Sequence, residues 1–372
     1  MAFPATLAGR LPAFPWDSLA GAAQRARAHP GGIVDLSIGT PVDEVPQVIQ
    51  DALAGAAHVP GYPTTRGTTA LREAAVGWLS RRHGVQVSPD AVLPVIGSKE
   101  LVAWLPTLLG CGPGDVVVHP PLAYPTYDVG ARLAGATPVR AALAASEPAL
   151  PGRVPLAWVN SPSNPTGEVL PPSALAQAVT WARDRGAVLA SDECYLELGW
   201  EDEPLSVLHP DVCGGSHSGV LALHSLSKRS SLAGYRAGFL AGDPELIATL
   251  LEIRKHAGMI VPGPVQAAMT AALSDDAHAE QQKARYAARR ARLWPALEAA
   301  GWRVEHSRAG LYLWAAHPAL DCRASVDVLA GAGILVAPGE IYGPAGADHI
   351  RVTLTATDER IDAAAKRLAK LT

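Results

Sequence analysis

The chain has little that would tie it to a membrane, a nucleic acid or an oxidising compartment. No apolar run approaches the ~18 residues that cross a bilayer. Pro4, Pro12 and Pro15 break up the N-terminal stretch, which lacks a basic segment leading into an apolar core. Neither a secretory leader nor a membrane span is expected. The net charge of −4 gives no global positive field to gather nucleic acid. There are only 4 cysteines, Cys111, Cys194, Cys213 and Cys322, far apart and without a C-x-x-C pair. That spacing argues against a zinc motif and a disulfide framework, and it suits a reducing cytoplasm. No internal repeat is visible, and with only about 30 residues before the first expected strand, no N-terminal DNA-binding domain is expected.

What is present is the material of a folded enzyme: 372 residues, 48% of them hydrophobic, enough for two or three units of ~150 residues. Residues 1–17 read as an extended arm, and a helix follows to about His29. Strands are expected at 33–38, 91–96, 116–118, 156–159, 186–190 and 220–223. Helices are expected at 45–56, 69–83, 101–109, 173–185, 244–256 and 264–274. A long helix over 276–300, with Arg285, Arg289 and Arg292 on a solvated face, leads to strands at 302–304, 311–314 and 349–354. A short helix lies at 326–332, and an apolar run over 334–339 precedes a loop through Gly346.

The most informative stretch follows the apolar run at 220–223. It reads Ser225-Leu226-Ser227-Lys228, then Leu232, Gly234, Arg236 and Gly238. A lysine that forms a Schiff base needs a dry, positively biased site that lowers its pKa. A phosphate anchor needs an arginine with hydroxyl or backbone donors nearby. Ser225 and Lys228 also form S-x-x-K, a pattern of serine acyl-transferases, but the K-T-G and S-D-N partners of that pattern are missing.

Other motifs follow expected strands. Gly97-Ser98-Lys99 opens a helix after 91–96, and free N–H groups at such a helix start attract anions. Tyr124 follows the strand at 116–118, Asn164-Pro165-Thr166-Gly167 follows 156–159, and Asp192-Glu193-Cys194-Tyr195 follows 186–190. Groups at the carboxyl ends of a mostly parallel sheet converge on one crevice.

Taken in order, these motifs resemble those of the fold-type I aminotransferases, which use pyridoxal 5′-phosphate. The resemblance implies an α/β fold, with a mostly parallel central sheet in a large domain (45–275) and a smaller α/β domain (276–372, with part of 1–44). It implies Lys228 as the covalent tether and then the general acid and base, and Asp192 as partner of the pyridine nitrogen. Asn164 and Tyr195 would bond the 3-hydroxyl oxygen, and Tyr124 would stack on the ring. Ser98, Lys99, Ser225, Ser227 and Arg236 would hold the phosphate, joined by Tyr62 of a neighbouring subunit in a homodimer. Gly39 would lie on the substrate side, and Arg351 would grip the substrate α-carboxylate. No metal is implied.

The runs 225–236 and 36–43, with Gly61-Tyr62-Pro63, further resemble succinyldiaminopimelate aminotransferases. Such a substrate carries several carboxylates, so a second pocket cation is expected, with Arg66, Lys99 and Arg229 as candidates. Aminotransferases for aspartate, alanine or aromatic amino acids, and a lyase on the same fold, are the competing readings.

Overall fold

The computed structural model describes residues 7–143 and 150–371. Its centre is a seven-stranded sheet. The strand order is Val92–Ile96, Ala237–Gly242, Val220–Ser225, Val188–Asp192, Arg153–Asn160, Asp115–His119, Thr137–Arg140. All run parallel except Ala237–Gly242, which is antiparallel to both neighbours.

Successive residues on a strand point to opposite faces, so a sheet buried on both sides reads as a continuous apolar run. Val116 and Val118 join Ala157, Ala222 and helix residues Leu175 and Val179 on one face. Val117 joins Leu156, Leu221 and helix residues Leu101 and Leu105 on the other. The result is three layers, with helices covering both faces.

A second sheet of four antiparallel strands is ordered Ala337–Pro338, His349–Thr353, Tyr312–Ala316, Arg303–Glu305. Val34–Asp35 pairs in parallel with Ile334–Leu335, so the first strand joins the C-terminal part of the chain. Val34 and Leu36 share a core with Leu313 and Ile350. The helix Ala277–Ala299 packs along this core through Tyr286, Leu293 and Leu297.

Three expectations are corrected. Within the described part of the N-terminal arm, residues form helical turns at Leu7–Arg10 and Pro15–Leu19, not an extended segment; residues 1–6 lie outside the described part. The strand expected over 33–38 is only Val34–Asp35, because Ser37 turns back and its amide bonds the Asp35 carboxylate at 3.0 Å. Arg289 is not on a solvated face. It is 3% exposed and its guanidinium bonds Asp43 and Asp358, whereas Arg285 and Arg292 are exposed. Elements that went unread include the helix Thr126–Ala134, the strands Thr137–Arg140 and Ala237–Gly242, and the short helices Pro210–Cys213 and Leu226–Arg229.

Candidate active site

Three neighbouring parallel strands end in polar residues at the same sheet edge: Asn160, Asp192 and Ser225. Asn160 and Asp192 are register partners. The antiparallel strand contributes its beginning at that edge. Gly238 pairs with Ser225, and Ala237 pairs with Ile96. One reversed strand therefore brings Arg236 next to the Gly97–Ser98 turn. Together these strand ends open on a cavity of about 510 Å³, within the range of small-molecule sites.

One end of the cavity is an anion cradle. Ser98 starts the helix Ser98–Leu108, and Gly97 before it has φ +74°. A Cβ on Gly97 would lie 2.8 Å from Arg236 Cζ, so glycine is what lets the guanidinium close on the helix start. A Cβ on Gly238 would meet the His224 carbonyl at 2.9 Å and the Ser98 amide at 3.4 Å. The first amides of the helix have no intrahelical acceptor, and the helix dipole adds positive potential there. The Ser225 hydroxyl accepts from the Ser227 amide at 3.1 Å and caps the turn that carries Lys228.

Lys228 lines the cavity. Burial pushes its pKa down, and Arg351 and Arg236 add to this against an opposing effect of Cys194, leaving it at about 8. Its Nζ donates to the Gly39 carbonyl. An amine so placed is available as nucleophile and base near neutral pH.

Asp192 is 7% exposed. Tyr127 Oη donates to its Oδ2 at 2.8 Å, and the Cys194 amide donates to Oδ1 at 3.2 Å. Burial raises its pKa, while the hydrogen bonds from Cys194 and Tyr127 pull the other way. Asn164 is fixed by its amide, which donates to Asn160 Oδ1 at 2.7 Å. Its own Oδ1 accepts from Arg351 Nη1 at 2.9 Å. The Arg351 guanidinium, 2% exposed, also donates from Nη2 to the Ser37 carbonyl at 2.7 Å. It lies 3.9 Å from the Tyr312 ring centre, and its buried Nε has no hydrogen-bond partner among the described residues.

The cavity thus brings together Gly39, Ser98, Lys99, Tyr124, Asn164, Asp192, Tyr195, Ser225, Ser227, Lys228, Arg236 and Arg351. Tyr195 Oη bonds Tyr312 Oη at 2.9 Å rather than Asn164. Tyr62 is not in this chain's cavity; it is 101% exposed. Arg66 pairs with Asp90, and Arg229 is buried against Glu197 and the Ala272 carbonyl. Neither lines this chain's cavity. Lys99 does line it, with Nζ 5.7 Å from the Phe14 ring centre.

Sequence reasoning missed Tyr127, Tyr312, Phe14 and Trp16, which also line the cavity. Tyr127 follows Tyr124 by one helical turn, but nothing local says that its hydroxyl reaches a residue 65 positions on. A Ser–His–Asp line exists elsewhere: Ser230 Oγ to His278 Nε2 at 2.8 Å, and His278 Nδ1 to Asp275 at 2.9 Å. Ser230 is only 1% exposed and receives Arg229 Nη1 at 3.1 Å, so this serine is not open to an acyl donor.

A solved structure titled "probable N-succinyldiaminopimelate aminotransferase" from Thermus thermophilus superposes with a TM-score of 0.84 at 30% identity, covering 96% of this chain and 100% of that one. The fold is that of the fold-type I pyridoxal 5′-phosphate enzymes. The family described as aminotransferase class I and II matches residues 32–368, and the chain belongs to it. A "probable aminotransferase" of Mycobacterium tuberculosis is 63% identical over 360 residues, 96% of this chain and 85% of that protein. The 4-dedimethylamino-4-oxo-anhydrotetracycline transaminase of Streptomyces rimosus is 60% identical over 361 residues, 96% and 99% of the two chains. Enzymes of this family use pyridoxal 5′-phosphate. The residues present fit that cofactor: a glycine-cleared anion cradle, a strand-end carboxylate and a buried amine of lowered pKa share one cavity.

Proposed function

We propose that this aminotransferase works through Lys228, and that its second substrate is N-succinyl-LL-2,6-diaminopimelate or the matching 6-oxo acid, paired with 2-oxoglutarate and L-glutamate. The observation that carries the reading is the placement of the Lys228 amine, with a pKa of about 8, in one cavity with Asp192 and Arg351. Pyridoxal 5′-phosphate, when bound, supplies an electron-withdrawing ring that stabilises charge at the substrate α-carbon. The Ser98 amide, Lys99, Ser225, Ser227 and Arg236 hold its phosphate, with Tyr62 of a second copy reaching the same group in a homodimer. Asp192 pairs with the ring nitrogen, and Tyr127 fixes the carboxylate for that task. Asn164 and Tyr195 would take the ring hydroxyl, and Tyr124 would pack on the ring. Arg351 binds the substrate α-carboxylate in a two-point fork, while Gly39 leaves room on the same side. Lys228 would hold the cofactor covalently, and its amine would serve as the base and acid at the substrate α-carbon. Four unpaired cysteines suit a cytoplasmic setting.

The polycarboxylate reading leans on sequence resemblance and on Lys99 as the second cation. A second reading has its own observation. Phe14 and Trp16, with ring centres 5.6 Å apart, wall the cavity beside Ile38. An apolar wall suits a bulky ring ketone, the class that the named substrate of the Streptomyces relative represents. Assay of the purified protein with L-glutamate against N-succinyl-2-amino-6-oxopimelate and against polycyclic ring ketones decides between them. Turnover of the former, with its KM raised in cofactor-saturated Lys99→Met while the KM for L-glutamate stays near wild type, supports the first reading. Turnover of ring ketones alone, lost in Phe14→Ala, supports the second.

A further inference from the structure

The three carbonyls of residues 37–39 all accept side-chain hydrogen bonds, two of them from residues that line the site. Ser37 accepts from Arg351 Nη2 at 2.7 Å, Ile38 from Thr355 Oγ1 at 3.3 Å, and Gly39 from Lys228 Nζ. Backbone bonds tie down the beginning of this segment. The Leu36 amide reaches the Leu335 carbonyl, and the Leu36 carbonyl takes the Thr353 amide. The far end has a different anchor. Asp43 accepts from Arg289 Nη1 at 2.8 Å and from Gln282 Nε2 at 2.7 Å, and it has a further contact with Arg289 Nη2.

Gln282, Tyr286 and Arg289 lie on one face of the Ala277–Ala299 helix, at positions i, i+4 and i+7. Tyr286 Oη donates to the Lys228 carbonyl at 3.2 Å. One helix face therefore grips both the turn that bears the lysine and the end of the segment that faces it. The pair is built to stay charged. Burial would raise the pKa of Asp43, but hydrogen bonds from Arg289 and Gln282 and the charge of Arg289 bring it below the usual carboxylate range. The outer partner of Arg289, Asp358, has a side chain 78% exposed, so the inner bond to Asp43 is the one shielded from water.

We infer that Asp43 and Arg289 are positioning residues for transamination: they clamp residues 37–43 so that the Ser37 and Gly39 carbonyls orient Arg351 and Lys228. The inference rests on the proposed roles of those two cations. Without the clamp, the fork of Arg351 loses a fixed acceptor on one side, and binding of a substrate carboxylate weakens.

The test uses the cofactor-loaded enzyme with Asp43→Ala, Asp43→Asn, Asp358→Asn and Arg351→Ala. Asp43→Ala raises KM for the amino-acid substrate by about tenfold or more and lowers kcat by a smaller factor, since Lys228 loses a fixed acceptor as well, and hydrogen exchange in 37–43 speeds up by about tenfold. Asp43→Asn, which keeps the volume, shifts KM and exchange in the same direction by less. Asp358→Asn leaves both within about twofold, because an exposed ion pair contributes little. A merely structural residue would lower Tm and the active fraction and leave KM alone. Should Asp43→Ala not fold, Asp43→Asn decides. If KM and exchange stay at wild-type values in a folded Asp43 variant while Arg351→Ala raises KM, the clamp is overturned and the site reading stands. If Arg351→Ala leaves KM unchanged as well, the site reading itself is at fault.

Discussion

Tyr127 donates its hydroxyl to Asp192 at 2.8 Å in a buried setting, and the two residues belong to different layers of the fold. Tyr127 lies in the first turn of the Thr126–Ala134 helix, and Asp192 ends a central strand. A hydrogen bond to a charged acceptor contributes ~1.5–3 kcal/mol. Its loss in Tyr127→Phe therefore lowers kcat by about tenfold or more. The sign of the pH effect follows from the carboxyl. Burial already raises the Asp192 pKa and Tyr127 opposes that rise. The variant moves the pKa higher still, so the charged form is lost sooner as pH falls. The acid limb of kcat shifts to higher pH, which a pH–rate profile of the two proteins reads directly.

Lys228 gives a second pH signature, visible without turnover. Its amine carries a proton below about pH 8 and loses it as pH rises through that value. Only the neutral form attacks a carbonyl. Cofactor uptake by the cofactor-free protein therefore speeds up with pH and levels off above about 8, where an ordinary lysine would keep accelerating toward its usual value near ~10.4. Stopped-flow absorbance follows this. Arg236→Met removes a nearby positive charge that lowers the lysine pKa, so the midpoint moves upward in that variant.

Gly97→Ala places a side chain where φ is +74° and where its Cβ would lie 2.8 Å from Arg236 Cζ. Strain at such a position costs ~1–3 kcal/mol, and the guanidinium must also withdraw from the helix start. Affinity for pyridoxal 5′-phosphate falls by about tenfold or more, measured by fluorescence titration of the cofactor-free protein. Inorganic phosphate, which competes for the same cradle, weakens in parallel.

The proposed exchange of Tyr62 between subunits is checked by complementation. Tyr62→Phe and Lys228→Ala proteins, each impaired as homodimers, are unfolded and refolded together. A mixed dimer pairs an intact Lys228 with an intact Tyr62 in one of its two sites. Random reassortment makes about half of the dimers mixed, each with one competent site, so activity recovers toward about a quarter of the wild type. If Tyr62 serves its own chain, each site in the mixed dimer keeps one lesion and no recovery occurs.

The sequence was most legible where function sits at strand ends. Apolar runs mark Val188–Asp192 and Val220–Ser225, and the polar residues that terminate them name the site. Legibility failed where tertiary context overrides local pattern. Ala237–Gly242 contains two glycines and carries no strand assignment from its sequence, yet it is buried on every residue and supplies the reversed strand that delivers Arg236. Thr126–Ala134 begins inside a proline-rich stretch that hides a helix start. Arg289 looks like a surface charge on an arginine-rich helix, and only the approach of Asp43, 246 positions away, makes its burial tolerable. Long-range pairs of this kind leave no local mark.

The central claim is that the Lys228 amine is the group that carries the cofactor. Borohydride reduction of the loaded enzyme, followed by peptide mass mapping, tests it most directly. The account predicts one stable pyridoxyl phosphate adduct on the peptide containing Lys228, and none in Lys228→Ala. An adduct on another lysine, such as Lys99 or Lys255, or no adduct on folded and loaded protein, would contradict it.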